Sequence, residues 1–318
     1  MLNRILTIYT RLFALWVAIF SVIAYLQPQP FVALKPGMPW FFALTMFGIG
    51  AVLSFDDFRA IARRPLIVVI GSAAQYSIMP LGAFVVAKLL RLPPDLAVGL
   101  ILTGAAPGAM ASNVVSYIGG ADTAYSVSLT TVSTLLCPLL TPGLTWLLAQ
   151  SYLDVAFWPM FLDVTQTVLA PLAAGLLVKR IWSRPMARIA RVFPAISVTF
   201  IVFICCLVIA LNRAHLSLLT GMVLLAVVVL NVYGLAGGYT VGRLFRLDRR
   251  QRRTLCIEIG MQNAGLGTVL ALKHFGDRAA MPAAIFVILC ILTASLLVAV
   301  WRRLPLPAAE SQPLEPSP

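Results

Sequence analysis

The chain has 318 residues, 60% of them hydrophobic and only 11% charged, with a mean hydropathy of +0.94. Soluble domains carry roughly 25% charged residues, so this composition excludes a water-soluble globular protein and makes lipid the solvent. The net charge of +13 does not call for nucleic acid, because the basic residues lie in short loops between apolar runs, where they face anionic lipid.

In chain order, the first stretch places Arg4 and Arg11 ahead of an apolar run to Leu26 and has the look of a secretory signal. Ala24-Tyr25-Leu26-Gln27 puts a bulky residue where a cleavage site needs a small one, so the stretch is expected to stay as a first membrane span. Ten apolar segments can be drawn in all, at roughly 12–27, 38–54, 65–88, 95–118, 122–149, 155–178, 193–212, 216–242, 253–273 and 279–301. Their lengths suit helices crossing a bilayer, and the absence of two-residue alternation excludes a barrel. With the N-terminus inside, 18 of the 24 Lys and Arg residues fall on the cytoplasmic side. The other six are Lys35, Lys88, Arg91, Arg213, Lys273 and Arg278. The expectation is a multi-pass, all-α protein of the bacterial inner membrane, ten transmembrane helices, both termini cytoplasmic. Five spans in each half reverse the second half, which predicts two inverted five-helix repeats at residues 1–150 and 151–303. The proline-rich tail, 304–318, is expected to be disordered.

Away from the ends of the apolar segments, where Asp95 and Asp122 lie, only two acids remain, Asp163 and Glu258. A carboxylate at bilayer depth costs about 2.5–3.5 kcal/mol and requires a partner. Asp163, about two turns from the external end of span six, is expected to be interfacial or cavity-lining. Glu258 has no basic residue in any span interior to pair with, which leaves a proton or a metal cation. Neutral oxygens accompany it: Gln262 one turn on, Ser112 and Asn113 after the break at Pro107-Gly108, Ser126 and Thr130 one turn apart, and Gln75 in span three. One carboxylate with hydroxyls, amides and carbonyls freed at unwound helices suits a hard monovalent cation. Spans four (GAAPGAMASN) and nine (EIGMQNAGLG) carry such glycine-interrupted, polar sequence at corresponding positions of the two halves. Ser133, Thr134 and Thr141 read as packing or as hydroxyls bonded back to their own helix. The five cysteines, Cys137, Cys205, Cys206, Cys256 and Cys290, lack metal-ligand spacing and read as small hydrophobes.

SNVVSYIGGADTAYSVSLTTVST in spans four and five, RTLCIEIGMQNAGL in span nine and AAQYSIMPL in span three closely resemble the bile acid:sodium symporter family. The resemblance runs over nearly the whole chain except the tail. It implies a panel domain (spans 1, 2, 6, 7), a core domain (spans 3–5, 8–10), and unwound helices four and nine that cross near two sodium ions. Carried over, the first sodium site uses Ser112, Asn113, Ser126, Thr130 and Glu258. The second uses Gln75, Glu258, the carbonyls of Ile259 and Met261, and Gln262. Asn113 and Asn263 would meet the substrate. Where close bacterial relatives have a His-Asn pair lining the substrate cavity in span ten, this chain has Cys290 and Ile291, so the cavity residue expected there is Cys290.

The function this implies is sodium-coupled uptake of an organic anion, a bile acid or a small carboxylate such as pantoate, by alternating access, with the small acid preferred. No other cofactor is expected, and the partners are sodium, the anion and membrane lipid, with a monomer possible. Two rivals stand beside it: a proton-coupled exporter with Glu258 as carrier, and an intramembrane enzyme using Asp56-Asp57.

Overall fold

The computed structural model describes residues 6, 9–10, 12–53, 61–62, 64–190 and 192–303. Asp56, Asp57 and the tail from 304 onward lie outside the described residues. We number the main helices α1 Phe13–Leu26, α2 Met38–Val52, α3 Pro65–Leu89, α4 Pro94–Ala105, α5 Ala111–Ile118, α6 Thr123–Ala149, α7 Phe157–Ile181, α8 Phe193–Leu211, α9 Leu216–Leu244, α10 Arg249–Gly260, α11 Ala264–His274 and α12 Met281–Arg303. Among the described residues the sole β pairing is an isolated antiparallel bridge between Gly108 and Gln262.

Local chemistry sets the helix starts. Proline opens α3 and α4 at the first turn, where a missing N–H is harmless. Asp122 caps α6 by accepting from Tyr125 N at 3.0 Å, and it pairs with Arg64 at 3.0 Å. Asp248 and Gln251 form a reciprocal capping box that starts α10 well outside the apolar core, so its first residues are arginines. Among the described residues, six helices are long and apolar enough to cross a bilayer by length and composition: α3, α6, α7, α8, α12 and the Gly221–Leu244 part of α9. Shorter apolar helices include Leu15–Leu26 and α4. Segments four and nine are each broken in two, as their glycine and proline content predicts. The chain is a helical multi-pass membrane protein.

Packing falls into two sets. Helices α1, α2, α7 and α8 pack on one another, and α3, α4, α6, α9, α10, α11 and α12 do the same. The sets meet at α6 with α7, α8 with α12 and α11, and α2 with α11. Backbones touch where side chains are absent: Gly50 of α2 lies against the Leu172 carbonyl of α7, and Gly175 of α7 against that of Phe47. On α9, Gly234, Gly238 and Gly242 recur every fourth residue along the face that meets α10. Close helix contact of this kind replaces the hydrophobic drive that lipid cannot supply.

Candidate functional site

The site grows out of the two helix breaks. After Ala105 the chain turns extended at Ala106 (φ −67°, ψ 155°), and Pro107 removes a backbone donor. After Gly260 it does so again at Met261 (φ −116°, ψ 102°). The two unwound segments pair: Ala109 N donates to Met261 O at 2.9 Å, and Asn263 N to Pro107 O at 2.7 Å. Carbonyls stranded at the ends find side chains from other helices. Thr141 of α6 donates to Ala105 O at 2.7 Å, and Asn231 of α9 to Gly260 O at 2.8 Å. The C-termini of α4 and α10 and the N-termini of α5 and α11 therefore converge on one point. Their dipole ends favour cations at the former pair and anions at the latter.

Glu258, 2% exposed, sits in the last turn of α10. Its Oε2 accepts from Ser112 Oγ at 2.6 Å and Ser126 Oγ at 2.9 Å, while Oε1 contacts Thr130 Oγ1. Asn113 turns its Oδ1 to the same hydroxyls, 2.9 Å from Ser126 and 3.2 Å from Thr130, with its Nδ2 toward Met110 Sδ. Ser112 and Thr130 hydroxyls lie 3.5 Å apart, and Thr130 Oγ1 is 3.0 Å from Ser126 O. Seven close oxygen pairs thus share three hydroxyl hydrogens. With the Asn113 amide oxygen turned this way, three hydrogens cannot give all seven pairs separate linear bonds. Protonating Glu258 adds only one. A cation among these oxygens supplies the missing positive charge, and the set of one carboxylate, three hydroxyls and one amide oxygen is of the hard type such an ion takes.

The second group adjoins the first at the crossover, where Gln262 pairs with Gly108. Gln75 Nε2 donates to Gln262 Oε1 at 2.7 Å, and Gln262 Nε2 to Ile259 O at 3.2 Å. Gln75 Oε1 is buried with no hydrogen-bond partner, which leaves an acceptor for a ligand. Gly108 is required here, since a Cβ on it would lie 2.5 Å from Glu258 Oε1. Most polar side chains of the two groups are buried; Asn113 and Asn263 are only half-buried. Asn263 also caps α11 by accepting from Leu266 N at 3.2 Å.

Some expectations change. Cys290 is 2% exposed and its thiol turns to Val287 O of its own helix at 3.4 Å; the neighbouring Ile291 is half-buried. Thr134 does bond back to Thr130 O at 2.7 Å. Ser133 does so to Thr130 O at 3.1 Å but also accepts from Gly108 N at 3.2 Å, and Thr141 caps a different helix, so both support the break. Asp163 is not left to water: it pairs with Lys273 at 2.6 Å and His274 at 2.7 Å at the end of α11. A π-helical segment, Thr165–Leu169, begins two residues after it. Asn231 and Thr141 are the residues missed by sequence reasoning, since a lone polar residue in an apolar run does not show which distant carbonyl it will meet.

Comparison with known proteins places the chain in a family. The profile of the Sodium Bile acid symporter family matches residues 39–219. The chain is 40% identical over 292 residues to the "Uncharacterized sodium-dependent transporter YocS" of Bacillus subtilis (strain 168), covering 92% of this chain and 91% of that one. It is 36% identical over 295 residues to the "Probable sodium/metabolite cotransporter BASS1, chloroplastic" of Arabidopsis thaliana, 92% and 73% of the two chains. To the rice BASS2 protein (Oryza sativa subsp. japonica), also named a probable chloroplastic sodium/metabolite cotransporter, identity is 34% over 308 residues, 96% and 74%. These are transporters, not enzymes, and the chain belongs to the sodium bile acid symporter family.

Proposed function

We propose that this protein is a sodium symporter that imports an organic anion across the bacterial inner membrane by alternating access. The observation that carries this reading is the oxygen surplus around Glu258: seven close oxygen pairs with three hydroxyl hydrogens to share. Ser112, Asn113, Ser126, Thr130 and Glu258 form the first sodium site. Gln75, Glu258, Gln262 and the carbonyls of Ile259 and Met261 form the second. Two sodium ions beside one carboxylate leave one net positive charge, which an anion at the N-termini of α5 and α11 offsets. Asn113 and Asn263, the half-buried members of the crossover, are the groups that meet it.

The substrate is a small carboxylate, such as pantoate, rather than a bile acid. The plant relatives are named as metabolite cotransporters, which supports this choice. The ten-span topology with cytoplasmic termini and inverted halves is part of the same reading. In it α1, α2, α7 and α8 are the panel, and the remaining main helices are the core that moves. Coupling requires the anion to prefer the sodium-loaded form, because equal affinity for both forms shifts no population.

The test is uptake of radiolabelled small carboxylates and bile salts into proteoliposomes. An inward sodium gradient should drive accumulation of a small carboxylate, and Glu258→Gln should abolish it with expression intact. Equal uptake in sodium-free buffer under an imposed pH gradient would establish the proton-coupled alternative instead.

A further inference from the structure

The amide of Asn231 is an unexpected feature of α9. It is wholly buried (0% exposed), lies in a helix that contributes no ligand to either cation site, and donates from Nδ2 to Gly260 O at 2.8 Å. Gly260 is the last helical residue of α10 and stands between Ile259 and Met261. In an unbroken helix its carbonyl would accept from Ala264 N, but that N–H donates instead to Gln262 O at 2.8 Å. Asn231 replaces the donor lost at the break.

The neighbouring turn of α9 makes a second, independent contact. Gly234 follows three residues on, on the same face. A Cβ there would lie 3.0 Å from Ile259 O and 3.3 Å from Gly260 Cα. The backbone of α9 is therefore pressed against the very peptides whose carbonyls bear on the second site. We infer that Asn231 is a positioning residue for that site: its amide fixes the Gly260 peptide, and through it the spacing of the Ile259 and Met261 carbonyls. This rests on the two-site reading proposed above.

A purely structural role would look different. Asn231 Oδ1 is buried and has no hydrogen-bond partner, so the side chain strands one polar atom while serving another. Leucine of similar shape removes that stranded oxygen and strands Gly260 O in its place, a near-even exchange for stability. The carbonyl geometry beside the cation is what changes.

A matched control exists in Asn212. It is likewise buried (1% exposed), donates from Nδ2 to backbone carbonyls of Val208 and Asp277 at 2.9 Å each, and leaves its own Oδ1 without a partner. Purified wild type, Asn231→Leu and Asn212→Leu are compared by thermal unfolding in increasing sodium chloride, with potassium chloride holding ionic strength constant. Asn231→Leu should unfold near the wild-type midpoint without sodium, yet need about tenfold more sodium for half of the stabilisation. Asn212→Leu should keep the wild-type sodium requirement. Asn231→Ala carries the same expectation for the sodium requirement should the leucine variant not express. A wild-type sodium requirement in Asn231→Leu or Asn231→Ala overturns the inference, as does an equal increase in Asn212→Leu. Loss of the sodium response from wild type itself would instead overturn the reading on which the inference rests.

Discussion

Gly108→Ala is the sharpest perturbation of the crossover, because it adds a single methyl group next to the carboxylate. That Cβ lies 2.5 Å from Glu258 Oε1 and 3.3 Å from its Cδ, whereas ordinary contact begins near 3.4 Å. The carboxylate oxygen must withdraw by about 0.9 Å, the difference between 3.4 and 2.5 Å. It is held by hydroxyls at 2.6 and 2.9 Å on its other oxygen, so a shift of that size stretches one or both toward the limit of a hydrogen bond. A hydrogen bond to a charged group contributes about 1.5–3 kcal/mol, and 1.4 kcal/mol is tenfold in affinity. Sodium half-saturation in the thermal-unfolding titration should therefore rise at least about tenfold. Ser133 Oγ, 3.5 Å from the new methyl, is not displaced, so its bond to Gly108 N should persist. A variant that keeps the wild-type sodium requirement would refute the placement of Glu258 at the cation.

Other residues give separate checks. Thr141→Val removes the donor to Ala105 O without changing shape, which should cost about 1–3 kcal/mol and lower the unfolding midpoint by a few degrees. An unchanged midpoint would show that the end of α4 needs no cap from α6. Asp163→Asn weakens the link from α7 to Lys273 and His274, whose side chains are 46% and 14% exposed. Partly exposed pairs are worth roughly 0–1 kcal/mol, and Asp163 makes no hydrogen bond to the crossover, so sodium half-saturation should stay within about twofold of wild type. A tenfold change would bring Asp163 into the cation machinery.

Much of the site was legible because the membrane makes polar residues conspicuous. Glu258 stands out in an apolar chain, and the Ser126–Thr130 spacing puts both side chains on one helix face, whereas Gln262 lies past the end of α10 in the unwound segment rather than one helical turn on from Glu258. Pro107-Gly108 and the Gly260–Gly265 stretch marked both breaks, although how the unwound segments pair appears only in the folded chain. The start of α10 was misjudged by a few residues because hydropathy sees the bilayer, while the Asp248 capping box extends the helix beyond it. Long-range partners were the real gap. Asp163 and Lys273 are 110 residues apart, and Thr141 and Ala105 are 36 apart. Nothing in either stretch alone reveals that they meet. Cys290 shows the same limit: the buried contact of its thiol with Val287 O is visible only in the folded chain.

The most direct measurement is equilibrium binding of radioactive sodium to the purified protein, wild type beside Glu258→Gln. The account predicts saturable binding of two ions per wild-type chain, competed by cold sodium and not by potassium, and no specific binding to the variant. Sodium bound equally by both proteins, or by neither, would contradict it.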